Sequence, residues 1–185
     1  MFWRNLLSTS ARTTVAAVAG SAATASGVDS DWYRRLDKPA FQPPPAAFPI
    51  AWTLLYADIA VTSAAVLTEL QQRARPGLRR RDRPGRPIEP PRPEHAPSAA
   101  AGRERGYRRA LTLNLVLNAG WCWAFFARRN TALGTVTAVA LTASSADLAC
   151  RAARSRPLYG AALAPYAGWC GFATVLSARI HQLNP

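Results

Sequence analysis

Four long segments of this sequence carry almost no charge, and they limit what the chain can fold into. The segments are 48–68, 110–127, 131–150 and 157–178, and their charged residues are Asp58 and Asp147. Each holds about 18 to 22 residues, which at 1.5 Å per helical residue matches the roughly 30 Å hydrocarbon core of a bilayer. The sequence therefore predicts an all-α integral membrane protein built as a helix bundle.

The N-terminal stretch 13–28, TTVAAVAGSAATASGV, is rich in small residues and only mildly apolar. Arg4 and Arg12 precede it and an Ala-Thr-Ala sequence lies near its end, which is the form of a cleaved signal peptide. Its Gly and Ala content equally suits a first spanning helix, because small residues let helices pack closely where lipid supplies no hydrophobic drive. Both interpretations are open on these residues alone.

Residues 71–106 differ from the rest of the chain. They are rich in Pro, Gly and Arg, and twelve of the 23 basic residues are arginines between Arg73 and Arg109. Such a segment cannot bury enough apolar surface to offset chain entropy, so we predict a disordered polar insert. It is either simply solvated or bound to anionic headgroups. No aromatic residues interleave the arginines, so no nucleic-acid partner is expected.

The basic residues also predict an orientation for a five-span chain. Loops on the side of the N-terminus and the insert hold 17 basic residues, and the opposite loops hold 6. The positive-inside rule then places the N-terminus and the insert in the cytoplasm of a cell-membrane protein. The predicted spans are 12–28, 48–70, 107–127, 131–151 and 157–180, with a connector at 29–47.

Three helix faces combine large aromatic residues with polar groups at helical spacing. They are Trp52-Tyr56-Ile59, Asn114-Asn118-Trp121-Phe125 and Tyr166-Trp169-Ala173-Ser177. An amide inside a membrane needs a partner, which is either another helix or a bound ligand. Asp58 points away from the first stripe and belongs to a separate polar face, where it serves either a functional site or a helix contact.

Aromatic stripes with a few polar points are typical of a small-molecule site. The sequence contains no paired carboxylates, no Ser-His-Asp set and no Gly-rich phosphate loop. It therefore shows no residues that would catalyse hydrolysis or phosphoryl transfer. The three cysteines and two histidines show no metal-ligand spacing, and we predict neither a metal nor a cofactor.

The connector and its flanks carry a recognisable pattern, WY-x-x-L-x-KP-x-x-x-PP followed by F-x-x-x-W-x-x-LY. It runs from Trp32 to Tyr56, and further matches are Leu117-Asn118, Trp121, Phe125-Phe126 and Pro165-Tyr166 with Trp169. These residues strongly resemble the TspO/MBR family, the tryptophan-rich sensory or translocator proteins once called peripheral benzodiazepine receptors. The resemblance covers about residues 13–70 and 107–184.

The resemblance implies a five-helix membrane bundle, a homodimer, and a first helix that is retained. It implies that the proline-rich connector folds over a cavity as a lid. The implied ligands are tetrapyrroles such as protoporphyrin IX, with sterols and synthetic isoquinolines in some members. The ligand-binding residues implied here are Trp32, Tyr33, Trp52, Tyr56, Asn118, Trp121, Trp169 and Ala173. The propionate groups of such a tetrapyrrole would pair with the basic residues near the mouth of the cavity, which are Arg34, Arg35 and Lys38.

Two functions stay open at this point. The first is a tetrapyrrole-binding protein that senses, sequesters or transports its ligand. The second is an enzyme that degrades porphyrin oxidatively or with light, for which Trp121 and Trp169 are the candidate catalytic residues. Porphyrin photochemistry needs only oxygen and a nearby indole, so apparent turnover can also be photochemical damage. We favour binding.

Overall fold

The computed structural model describes residues 1–74 and 99–185, and this part of the chain is helical throughout with short connections. Its helices are α1 (Phe2–Val28), α2 (Asp31–Arg35), α3 (Ala47–Ala74), α4 (Ala99–Cys122), α5 (Thr131–Ala153) and α6 (Pro157–Leu183). A π-helical turn, Trp123–Ala127, continues α4. The all-α bundle predicted from the sequence is confirmed.

The five long helices close into a ring. Around it, α1 packs on α3, α3 on α6, α6 on α5, α5 on α4 and α4 on α1, while α3 and α4 also meet across the bundle. The short helix α2 belongs to the lid, residues 29–46, which joins α1 to α3. We call the end of the bundle that carries the lid the lid end, and the end where α3 and α4 approach the undescribed segment the insert end.

Four of these helices are long and apolar enough to cross a membrane: Ala47–Ala74, Ala99–Ala127, Thr131–Ala153 and Pro157–Leu183. The fifth, α1, has 27 residues, a length of about 40 Å at 1.5 Å per residue. It is long enough to span but less apolar than the others, because much of one face consists of small and hydroxyl residues.

That face of α1 is turned into the bundle. Its buried residues are Asn5, Thr9, Thr13, Ala16, Gly20, Ala23 and Gly27, spaced three or four apart. The Thr9 hydroxyl donates to the Ala60 carbonyl at 2.8 Å, and an added Cβ at Gly27 would lie only 2.5 Å from Phe126 Cβ. Other parts of the bundle therefore lie close against the backbone of α1, as expected for a first helix rich in small residues.

The polar insert is shorter than predicted at both ends. Residues 71–74 belong to α3 and residues 99–106 to α4, because their polar side chains find partners beyond the predicted spans. Gln71 donates to Glu104 at 2.9 Å, and Arg108 pairs with Glu104 one helical turn away at 3.0 Å. The predicted disorder of the remaining insert, 75–98, concerns residues outside the described part of the chain.

The end of α4 departs from regular helical geometry. The Arg128 N–H donates to the Trp123 carbonyl, five residues back, at 2.9 Å. This wider turn adds a residue to the helical repeat, and both Phe125 and Phe126 become buried side by side. Such π-helical turns are frequent at functional sites. Here the turn places two neighbouring rings at the lid end.

The glycines of α6 provide a test of this packing. An added Cβ at Gly160 would lie 2.5 Å from the Ala153 Cβ and 3.0 Å from the Ala149 carbonyl oxygen, whereas one at Gly168 would meet nothing within 4 Å. We expect Gly160→Ala to lower stability by about 1–3 kcal/mol through overpacking between α5 and α6. Gly168→Ala should be neutral or raise stability by up to about 1 kcal/mol. Thermal unfolding in detergent measures both; equal midpoints for the two variants would contradict the packing.

Candidate ligand-binding site

Aromatic side chains from the lid, α3, α4 and α6 meet at the lid end of the bundle. We call this group the aromatic cluster; its members are Trp32, Tyr33, Phe41, Phe48, Trp121, Phe125, Phe126, Trp169 and Phe172. Trp121 stacks on Phe125 with ring centroids 6.0 Å apart, and Trp169 contacts Phe172 at 5.5 Å. These distances lie in the range of favourable aromatic pairs, so the rings are packed on one another.

The lid contributes directly to this packing. The Trp32 ring meets Phe125 at 5.7 Å, the Tyr33 ring meets Phe126 at 5.5 Å, and Phe41 meets Phe172 at 6.4 Å. Ser30 caps the N-terminus of α2, because its hydroxyl accepts the Tyr33 N–H at 3.2 Å and so fixes the first turn. The lid therefore covers the ends of α4 and α6 with its own rings.

A second aromatic group lies deeper in the bundle. The Trp52 ring is 5.6 Å from Tyr56 and 6.4 Å from Tyr166. These side chains pack against the main core of the protein. Asn118, one turn before Trp121 on α4, hydrogen-bonds to both Tyr56 and Tyr166.

The two amides of α4 are part of a buried hydrogen-bond network across four helices. Tyr56 donates its hydroxyl to Asn118, and Tyr166 donates to the Asn114 oxygen at 2.8 Å. The Asn114 amide nitrogen donates to Ser145 at 3.0 Å. The interhelical role considered for Asn114 is thus observed, and Asn118 is likewise bonded to side chains of α3 and α6.

The lid is fastened to the C-terminal end of α6 by one residue. The Asn184 side chain accepts the Asp37 N–H at 3.0 Å and donates to the Asp37 carbonyl at 3.0 Å. Both bonds are exposed to solvent, and each is worth only about 0.5–1.5 kcal/mol in net terms. These two bonds are therefore specific in geometry but contribute little to stability.

The basic side chains of the lid are less available than the sequence suggested. Lys38 donates to the Tyr33 carbonyl at 2.7 Å and to the Leu36 carbonyl at 3.1 Å, so it holds the lid together. Arg34 forms an ion pair with Asp31. The connector is compact, and its own carbonyl groups compete for these cations.

A hollow of about 760 Å³ lies beside the lid. Its lining residues are Ser26, Asp29, Ser30, Asp31, Trp32, Arg34, Arg35, Leu36, Arg129 and Asn184. The lining is mainly polar and contains charges of both signs. This hollow is therefore a polar vestibule next to the aromatic cluster and not a cavity inside it.

Two buried polar atoms near the aromatic cluster have no hydrogen-bond partner: Nε1 of Trp121 and Oε1 of Gln42. A buried donor or acceptor left unpaired costs about 1–3 kcal/mol. Burial raises the pKa of the Tyr33 hydroxyl, and the neighbouring Gln42 side chain opposes that rise. Among the described residues, no three His, Cys, Asp or Glu side chains come together to hold a metal ion.

The structure brings most of the predicted site residues into two adjoining groups. Trp32, Tyr33, Trp121 and Trp169 belong to the aromatic cluster, and Trp52, Tyr56 and Asn118 to the deeper group. Ala173 is half-buried on α6, one turn after Trp169. Gln42 was not identified from the sequence, because a glutamine between two lid prolines gives no signal of burial.

The fold and this site define a class: a multi-pass helical membrane protein with aromatic residues gathered beneath a lid. A model of the TspO/MBR family matches residues 10–183, and the chain belongs to that family. Among curated proteins, the uncharacterized membrane protein YtaB of Bacillus subtilis (strain 168) is 23% identical over 157 residues, which are 85% of this chain and 83% of the relative. The resemblance based on the lid motif is confirmed.

The buried network gives a stability prediction. Tyr166→Phe removes the hydroxyl that donates a hydrogen bond to the buried side-chain oxygen of Asn114. Because that oxygen then has one partner fewer, we expect the free energy of unfolding to fall by about 1–3 kcal/mol. Tyr159→Phe, on the same helix, removes a hydroxyl for which no hydrogen bond is found in the described residues and should change stability little. Thermal midpoints of the two variants in one detergent provide the comparison. A Tyr166→Phe midpoint as high as that of Tyr159→Phe would contradict the network.

Proposed function

We propose that this protein binds a tetrapyrrole of the protoporphyrin IX type at the aromatic cluster and senses, sequesters or transports it. Membership of the TspO/MBR family supports a tetrapyrrole-related membrane protein. The observation that carries the proposal is the meeting of indole and phenyl rings from the lid, α3, α4 and α6 at one end of the bundle. A flat macrocycle is the kind of ligand that such rings stack against.

Binding requires the rings to separate. In the closed arrangement they contact one another, so a macrocycle would replace ring-to-ring contacts with ring-to-ligand contacts of the same kind. The exposed hydrogen bonds between Asn184 and Asp37 are the connection that the lid would have to break. Because the prolines of the lid restrict its backbone, closing it again costs less conformational entropy than closing a flexible loop.

The polar ends of the ligand would lie toward the vestibule. Arg35 and Arg129 line that hollow, and ionised propionates pair well with guanidinium groups. We include in the proposal the cytoplasmic placement of the N-terminus and insert, which rests on basic-residue counts. A homodimer and binding of sterol-like or isoquinoline ligands rest on family membership alone.

Tryptophan fluorescence tests the proposal. Protoporphyrin IX should quench the emission of the purified protein saturably. Trp169→Ala removes a ring that contacts both Phe48 and Phe172, so we expect affinity to fall about 5- to 10-fold, the equivalent of losing one or two aromatic contacts. The control is Trp3→Ala, since Trp3 is 74% exposed at the far end of α1. Equal dissociation constants for the two variants would exclude Trp169 from the site.

Porphyrin degradation is the second candidate function, because Trp121 and Trp169 would both lie against a bound macrocycle as oxidisable rings. The two functions separate in darkness. We expect protoporphyrin IX to be recovered unchanged after incubation with the protein and oxygen in strict darkness, with loss only under illumination. Product formed in the dark, and abolished in Trp121→Phe or Trp169→Phe, would establish an enzyme instead.

A further inference from the structure

Arg12 is a half-buried arginine within α1, and the described part of the chain offers it neither a hydrogen bond nor an ion pair. Other arginines towards the insert end are paired. Arg108 lies 3.0 Å from Glu104, and Arg151 lies 2.6 Å from Asp147. A guanidinium group within a membrane span is costly unless its charge meets an acceptor. Arg12 therefore points to an acceptor from outside the described chain.

Two hydrogen bonds fix α1 alongside α4 and place Arg12 between them. Towards the insert end, Arg108 donates to the Asn5 side chain at 3.4 Å. Towards the lid end, the Trp123 indole donates to the Ala19 carbonyl at 2.9 Å. Asn5, Arg12 and Ala19 are spaced seven residues apart, which is two helical turns, so they share one stripe of α1. Arg12 thus lies midway along the line on which α1 meets α4.

The matching stripe of α4 consists of Arg109, Val116 and Trp123, which are also spaced seven residues apart. Val116 is 62% exposed and Trp123 is 51% exposed, so this stripe faces lipid where α4 borders α1. Arg109 is exposed as well, and none of the described residues pairs with it. We call the two stripes together the α1–α4 seam.

The register of the two helices brings both unpaired cations of the seam towards one level. Counted from either hydrogen bond, Arg12 is level with Val116 or its neighbour, about 10 Å along the axis from Arg109 at 1.5 Å per residue. Side chains on a helix lean towards its N-terminus, which is the insert end for both α1 and α4. The long Arg12 side chain therefore extends from the apolar region towards the level of Arg109, where the apolar part of α4 begins.

A phospholipid fits this arrangement. Its phosphate accepts several hydrogen bonds from guanidinium groups, and its acyl chain would cover the exposed side chains of Val116 and Leu113. Arg105, one turn before Arg109 and also exposed, adds positive charge at the level of the headgroup. That charge would repel a headgroup with its own cation, such as choline, and would attract an anionic one.

We propose that the α1–α4 seam binds one anionic phospholipid at the insert end, with its phosphate held between Arg12 and Arg109 and an acyl chain lying along Val116. The lipid supplies the acceptor that Arg12 lacks and joins α1 to α4. The seam site lies at the opposite end of the bundle from the aromatic cluster, so it is separate from the proposed tetrapyrrole site.

Native mass spectrometry of the delipidated protein tests the proposal, with phosphatidylglycerol and phosphatidylcholine of the same acyl chains as probes. We expect phosphatidylglycerol to bind more tightly. Arg12→Gln and Arg109→Gln should each weaken its binding about 10-fold, the equivalent of one charge-assisted hydrogen bond, and change phosphatidylcholine binding less than about 2-fold.

Arg179→Gln is the matched control, because Arg179 is exposed at the lid end of α6, where it donates to Gln182. It should alter the binding of neither lipid. All three variants keep the arginines of segment 75–98, so any general attraction of that segment for anionic lipid is the same in each. Protoporphyrin IX affinity should be unchanged in Arg12→Gln and Arg109→Gln, which separates this test from that of the proposed function.

The proposal is overturned if neither seam variant weakens phosphatidylglycerol binding, if Arg179→Gln weakens it equally, or if phosphatidylcholine binds as tightly. Displacement of the lipid by inorganic phosphate, but not by sodium chloride at equal ionic strength, would show that the seam recognises a free anion instead. If Arg12→Gln separates a lipid-free dimer, a second copy of the chain covers the seam and the lipid does not. Because Arg109 is exposed, its variant remains informative even if Arg12→Gln fails to fold.

Discussion

Inside a membrane, a polar side chain must find its partner within the protein, and this constraint organises the centre of the bundle. Tyr56 on α3, Asn114 and Asn118 on α4, Ser145 on α5 and Tyr166 on α6 form one connected set of hydrogen bonds. The hydrophobic effect gives little drive for apolar contacts between helices when lipid is the alternative neighbour. The network therefore supplies specificity that packing alone does not, since each bond requires one particular register of two helices.

The lid end follows a different rule. Its rings provide contact area without directional bonds, and they are held in place by the π-helical turn of α4 and by the lid itself. The unpaired atoms at Trp121 and Gln42 lie in this region, whereas the central amides are satisfied. The polar groups of the centre are thus paired within the bundle, whereas the lid end is aromatic and leaves two buried polar atoms unpaired.

The helices and the family were predictable from the sequence because apolar length and the motif around Trp32 to Tyr56 are strong signals. Helix α1 begins at Phe2, ten residues before the predicted span 12–28, because the polar residues Asn5 and Thr9 are buried against partners on α3 and, for Asn5, also on α4. The sequence did not indicate that residues 71–74 belong to α3 and residues 99–106 to α4, because pairs such as Gln71 with Glu104 join residues far apart in the chain.

The candidate site was predictable in part. Helical spacing identified the indoles and the amides, because residues three or four apart share a face. It could not reveal that the π-helical turn brings Phe125 and Phe126 together, that Lys38 is bonded to lid carbonyls, or that the side-chain oxygen of Gln42 is buried. Each of these depends on how the lid folds back onto the bundle, which local sequence does not encode.

A crystal structure of the protein grown with protoporphyrin IX in the dark would test the central claim most directly. We expect the macrocycle to lie against Trp121 and Trp169 beneath the lid, with the contacts among the cluster rings replaced by contacts to the ligand. Porphyrin bound only on the lipid-facing surface, with the aromatic cluster still closed on itself, would contradict it.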